Sequence, residues 1–273
     1  MTLTLALRTQ PPARVRAPAL VPDRLHGLSA SEVAALSVRC GRRSLAVGDL
    51  FDLSGAGGED LVLTGDLRRV DEIATGMTRG RVVVEGPCGD HVGARMSGGE
   101  IEVRGDAGAW AGAELAGGLL RIRGDAGARL GAAYPGARAG MTAGEIVVSG
   151  DAGEEVGAGL RRGLVAVGGQ AASGAGLRML AGTVIALGGI GREAGIGNKR
   201  GSLVSGRTVE PVPVYAFAAR YQPPALRLQL RRVRELGLTV DDALVRGTWA
   251  RWSGDRTELS RGEILIFDEE EPG

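Results

Sequence analysis

Between residues 81 and 187, apolar and polar side chains alternate in short bursts that return at a fixed interval. Val82/Val84, Ile101/Val103, Leu120/Ile122, Ile146/Val148, Val165/Val167 and Val184/Ala186 form one set, and the intervening set is largely charged. Alternation with period two sends successive side chains to opposite faces. The spacing therefore predicts strands over 81–85, 100–104, 119–123, 145–149, 164–168 and 183–187. A glycine opens each unit, at Gly80, Gly99, Gly118, Gly144, Gly163, Gly182 and Gly201, in steps of 19, 19, 26, 19, 19 and 19 residues. Seven extra residues around 134–139, with Pro135 and Gly136 among them, account for the long step and read as a loop. Three residues before these glycines stand Met77, Met96, Leu115, Met141, Leu160, Met179 and Asn198. Such a column is expected in the core.

After each strand comes Gly-x-x-Gly-x-x-x-Gly, for example Gly86, Gly89, Gly93 and Gly105, Gly108, Gly112; one copy has degraded to Gly169, Ala172, Gly176. These corners are too short for helices. The predicted fold class is all-β: a parallel β-helix, or solenoid, of about seven or more 19-residue coils with small caps at both ends. Stacking at that interval also predicts charge pairs across neighbouring units, Arg81 with Glu100, Glu102 with Arg121 and Glu85 with Arg104.

The ends break the repeat. Residues 1–40 read as an N-terminal extension and cap, in which Ser29-Ala30-Ser31-Glu32 is a capping box for a short helix reaching about residue 36. Residues 41–208 are the repeat domain, and 209–273 a C-terminal cap. That cap is predicted to hold a strand over 212–221, a helix over 224–236 opened by Pro223-Pro224 and stopped by Gly237, terminal strands at 249–253 and 261–267, and an acidic tail at 268–271. On the helix, Leu226, Leu230, Val233 and Leu236 form an apolar stripe. Arg227, Arg231, Arg232 and Arg234 form a basic face, which is either an ordinary solvated face or a grip for an acidic partner surface or an acidic cofactor.

Composition narrows the function. Of 273 residues, 33 are Lys or Arg and 32 Asp or Glu, a formal net charge of +1, so bulk charge does not point to nucleic acid or a membrane surface. Aromatics are 3% against 44% hydrophobic residues, so the core must be aliphatic. No apolar run has the length of a membrane span and the N-terminus does not read as an export signal, so a cytoplasmic protein is expected. Chemistry-bearing residues are few. Cys88 falls in a column with Ala107, Ala126 and Ala152 and reads as a small buried hydrophobe; Cys40 is too isolated for a disulfide framework. His91 aligns with Trp110, Arg129 and Glu155 and has only His26 as a possible histidine partner, which disfavours a metal or triad role. Asp66, Asp106, Asp125 and Asp151 follow corner glycines and suit bonds to turn backbone rather than a calcium ladder. No catalytic, cofactor-binding or metal residue is assigned to this chain.

The glycine coils resemble the repeat domain shared by the glutamate synthase large subunit and the C subunit of formylmethanofuran dehydrogenase. Asn198-Lys-Arg-Gly201, the run from Tyr221-Gln-Pro-Pro to Glu235-Leu-Gly237, Ser253-Gly-Asp255 and Arg261-Gly-Glu-Ile-Leu265 are similar to the C-subunit family of bacterial formyltransferase/hydrolase complexes. The resemblance implies a non-catalytic structural subunit in one-carbon metabolism. Its hetero-oligomer with the A, B and D subunits would move a formyl group from formyl-tetrahydromethanopterin to a methanofuran-type carrier and release formate. It also implies that zinc and that carrier sit in the partner subunits. Two alternatives are the C subunit of a molybdenum or tungsten formylmethanofuran dehydrogenase and a glutamate synthase-type domain of another amidotransferase assembly. The asparagine at 198, where the column leads one to expect methionine, and the degraded copy at Gly169 depart from the pattern.

Overall fold

A computed structural model describes residues 2–207 and 209–268. Strands form where the alternation places them, at Arg81–Val84, Glu100–Val103, Ala116–Ile122, Ala143–Val148, Leu164–Val167 and Thr183–Ala186, followed by Ser202–Ser205. Each pairs in parallel with the next at the repeat distance: Arg81 lies opposite Glu100, Glu100 opposite Leu119, Leu164 opposite Thr183, and Thr183 opposite Ser202. The insertion is absorbed without loss of register, since Leu119 lies opposite Glu145.

The expected parallel β-helix solenoid is nevertheless corrected. The strands build one mixed, mostly parallel sheet of 13 strands, flanked by a two-stranded and a four-stranded sheet, and no closed solenoid is present among the described residues. The corners contribute isolated bridges along Cys88, Ala107, Ala126, Ala152 and Ala171 instead of a continuous second sheet. Their backbone explains why. His91, Gly93 and Arg95 all have positive φ, at 64°, 64° and 58°, and Trp110, Gly112 and Glu114 repeat the pattern. Left-handed residues at alternate positions forbid an extended strand.

The sheet is also not parallel at its ends. Thr2–Leu7 pairs in parallel with Asp60–Thr64 and antiparallel with Phe51–Gly55. At the other end Ser202–Ser205 pairs in parallel with Gly262–Phe267, and the sheet continues antiparallel through Trp249–Gly254 to Ala216–Tyr221. The capping box is formed: Ser29 caps the helix Ala30–Ala34, accepting from the Glu32 amide, while the Glu32 carboxylate accepts from the Ser29 amide. The cap strand is shorter than expected, beginning at Ala216, and the helix spans Pro224–Glu235. Of the predicted acidic tail, 269–271 lies outside the described residues.

One face of the sheet packs the predicted core. Val82, Ile101, Leu120, Ile146, Val165 and Val184 are fully buried there with the methionine and leucine column from Met77 to Met179. Each such aliphatic contributes roughly 1.5–3 kcal/mol. The opposite face is not uniformly charged. In its C-terminal half Val147, Ala166, Ile185 and Val204 are buried beneath Leu226, Leu230 and Val233 of the C-terminal helix and beside Trp249. The ion pairs predicted from the stacking belong to the N-terminal half.

Their pattern differs in detail from the expectation. Glu85 and Arg104 pair at 2.7 Å as the stacking predicts, but Arg81 and Arg123 both reach Glu102, at 3.2 and 3.0 Å, and Arg121 reaches Glu100 at 3.0 Å. Arginine is long enough to take the diagonal neighbour rather than the one directly opposite. This separates Arg104 from Arg123, which the repeat sets side by side. Burial alone would raise the Glu102 carboxyl, but the hydrogen bond from Arg123 and the charges of Arg123, Arg104 and Arg121 hold it below its ordinary value.

Candidate functional site

The aspartates after the corner glycines form a regular hydrogen-bonded column. Asp106 Oδ1 accepts from the Asp125 amide at 2.9 Å, Asp125 Oδ1 from the Asp151 amide at 2.8 Å, and Asp151 Oδ1 from the Gln170 amide at 2.7 Å. Earlier in the chain, Asp71 and Asp90 do the same for the amides of Asp90 and Ala109. Asp66 instead accepts from the Arg68 amide two residues on. The carboxylates of the column thus tie one unit to the next. Among the described residues no three His, Cys, Asp or Glu side chains converge to hold a metal ion.

Cys88 is buried within its alanine column, and burial, with the nearby charges of Asp71 and Asp90 adding to it, pushes its thiol up to about 12. A thiol so far from ionising is a poor nucleophile at neutral pH. Cys40 is buried and reduced as well, its Sγ donating to the Ala13 carbonyl at 3.6 Å. His26 follows the short helix Pro22–Leu25.

His91 belongs instead to a cluster that sequence reading missed. Its Nδ1 lies 2.7 Å from the hydroxyl of Tyr134, which the seven-residue insertion brings back over the column. The Tyr134 ring stacks on Trp110 with centroids 4.9 Å apart, and His91 and Trp110 stack at 6.3 Å. The Arg95 guanidinium lies 5.1 Å from the Tyr134 centroid, and that of Arg129 4.9 Å from Trp110. Burial pushes the Tyr134 hydroxyl up to about 12, so it stays protonated. The alignment of His91, Trp110 and Arg129 was legible from the repeat. The arrival of Tyr134 was not, although the one break in a strict period was a signal that something extra is built there.

Beside this aromatic ledge lies a cleft of about 490 Å³. It is lined by the inserted segment from Tyr134 to Ala139, by Arg178, Ile196 and Lys199 from later units, and by Glu258. Arg129 pairs with Glu155 at 2.8 Å and Lys199 with Glu258 at 3.7 Å. Arg138 and Arg178 are exposed and make no ion pair among the described residues. The described residues that line the cleft offer charge and shape of the kind that suits binding.

The four arginines of the C-terminal helix are mostly committed within the chain. Arg232 grips Glu145 through two bonds of 2.9 and 2.8 Å, Arg234 donates to the Val240 carbonyl and Asp242, and Arg227 donates to the Val245 carbonyl. Arg231 alone makes no side-chain bond among the described residues. Three of the motifs that carried the family resemblance, at 198–201, 253–255 and 261–265, meet around Asn198, while the run from Tyr221 to Gly237 packs as a helix on the sheet face instead. Asn198 is fully buried; its side chain donates to the Gly201 carbonyl and accepts from the Gly201 amide, closing its own turn. Asp255, also buried, accepts from the amides of Gly197 and Thr257. Burial would raise its carboxyl, and the Thr257 hydroxyl with those two amides holds it below its ordinary value. At the position where the column leads one to expect methionine, the asparagine side chain thus bonds the Gly201 backbone across its own turn.

No family model matches the chain. The C subunit of the formyltransferase/hydrolase complex Fhc of Methylorubrum extorquens is 36% identical over 89 residues, 33% of this chain and 34% of that protein. The C subunit of a molybdenum-containing formylmethanofuran dehydrogenase of Methanosarcina barkeri is 37% identical over 84 residues, 29% and 28% of the two chains. These sequence matches span only about a third of the curated relatives. The structural match is far more extensive. A chain in the crystal structure of the formyltransferase/hydrolase complex FhcABCD from Methylorubrum extorquens, in complex with methylofuran, superposes with a TM-score of 0.89 at 34% identity, covering 96% of this chain and 98% of that one. With its repeat register, its cap and its buried Asn198 and Asp255 accounted for, the chain belongs to the C-subunit family of formyltransferase/hydrolase and formylmethanofuran dehydrogenase complexes.

Proposed function

We propose that this chain is a non-catalytic structural subunit of a cytoplasmic formyltransferase/hydrolase complex. It assembles with the A, B and D subunits, which transfer a formyl group from formyl-tetrahydromethanopterin to a methanofuran-type carrier and release formate. The observation that carries this reading is the match to a chain of FhcABCD along 98% of its length. The chemistry of the chain supports it: Cys88 is buried, the aspartates bond backbone amides, and His91 is held by Tyr134. Zinc and the carrier belong, in this reading, to partner subunits. The repeat body of 41–208 is the scaffold, and 1–40 and 209–273 cover its ends. Among the described residues no helix is long and apolar enough to cross a membrane.

Co-expression of a tagged full-length chain with its A, B and D partners tests the reading. All four are expected to purify together with formyl-transfer and formate-releasing activity, and the chain alone is expected to have neither. Activity in the isolated chain, or its purification free of the partners, overturns the proposal. The likeness to the Methanosarcina dehydrogenase subunit favours a second reading, in which the assembly is a molybdenum or tungsten enzyme. Metal analysis of the same complex separates the two: zinc alone supports the first, molybdenum or tungsten the second.

A further inference from the structure

The cleft beside Trp110 has two features that together specify an occupant. Its cationic side chains outnumber its acidic ones: Arg129, Arg138, Arg178 and Lys199 face Glu155 and Glu258, and the two carboxylates are already paired with Arg129 and Lys199. Arg138 and Arg178 remain without an acidic partner among the described residues. Its lining includes the apolar side chains Leu177, Leu180 and Ile196, and Ile196 is 40% exposed.

An isolated anion would leave these apolar side chains wet. A nucleic-acid base would need an open aromatic face, and the Trp110 ring is already engaged by Tyr134, His91 and Arg129. We propose that the cleft receives an acidic segment of a partner polypeptide in the assembly. Arg138 and Arg178 pair with its carboxylates, and Leu177 and Ile196 take an apolar side chain next to them. The insertion at 134–139 is then the part of the repeat adapted to that partner, since it lines the cleft and supplies both Tyr134 and Arg138. This inference rests on the assembly reading above and names the surface by which the chain is held.

The test uses the full-length chain and the co-expressed partner subunits. The double variant Arg138→Glu/Arg178→Glu is expected to weaken association by about tenfold or more, and Arg138→Lys/Arg178→Lys to stay close to wild type with a steeper salt dependence. Both residues are exposed, so circular dichroism should show native folding. In the wild-type chain, amide hydrogen exchange over 133–139 and 196–199 is expected to slow on assembly. A folded charge-reversal variant with wild-type affinity overturns the proposal, as does unchanged exchange in those segments. The exchange measurement decides the matter alone if the variant does not fold. A wild-type chain that binds no partner overturns both this inference and the assembly reading; one that binds equally well with both arginines reversed overturns this inference alone.

Discussion

Gly118 and Gly136 share a φ of +82°, but their surroundings differ. A Cβ on Gly118 would lie 2.6 Å from the Gly99 carbonyl oxygen and closer still to the Met96 methyl, whereas one on Gly136 would meet nothing within 4 Å. Replacing each by alanine separates strain from collision. Gly136→Ala should cost about 1 kcal/mol, the penalty of the left-handed backbone alone, and Gly118→Ala about 2–4 kcal/mol, because backbone and a buried Met96 must also move. Urea unfolding followed by circular dichroism measures both, and equal losses would refute this account of why a glycine opens every unit. The same stacking accounts for the aspartate column. A short carboxylate after a corner glycine reaches the amide one repeat further on, so Asp106, Asp125 and Asp151 are explained without a metal.

Among the elements, the strand face around Glu102 shows how a regular ladder is altered by side-chain reach. Glu102 is only 7% exposed and accepts from Arg123 while pairing with Arg81. Its carboxyl is held below its ordinary value of 4.5, so the charged form is favoured by folding. The stabilisation is therefore present above about pH 4.5 and is lost as the pH falls through the lower, folded-state value. Glu102→Gln should lose roughly 1 kcal/mol at neutral pH, since both arginines are about half exposed and solvent screens the pairs. The gap between variant and wild type should close in acid. A gap that does not change with pH would mean that packing, not charge, holds this position.

For the whole molecule, stability should run as a chain of neighbouring contacts, because each repeat touches mainly the units on either side. The C-terminal helix changes this by lying across several strands at once, burying Leu230 and Val233 against Val147, Ala166, Ile185 and Val204. Leu230→Ala should cost about 2–5 kcal/mol and loosen the cap before the early strands. Hydrogen exchange should then rise over 224–235 and 183–205 while 81–103 stays protected. Uniform acceleration along the chain would show instead that the sheet unfolds as one unit.

The chain's own pattern was enough to determine the strands of the repeat, their parallel pairing at 19-residue intervals, the buried methionine column and the helix at 224–235, but not the N-terminal strands such as Thr2–Leu7. The repeat features follow from local alternation and from repetition, which constrain neighbours of fixed separation, and the helix follows from its proline start and glycine stop. The closed coil expected from that repetition was not realised, because left-handed residues such as His91 and Arg95 break the corners and the end strands turn antiparallel. Contacts between residues of no regular spacing were settled only in three dimensions: Tyr134 on Trp110, Arg232 on Glu145, Asp255 at the turn of Asn198. A period specifies what stacks on what. It says nothing about where an insertion folds back or which face a cap covers, since those choices depend on long-range packing that no repeat encodes.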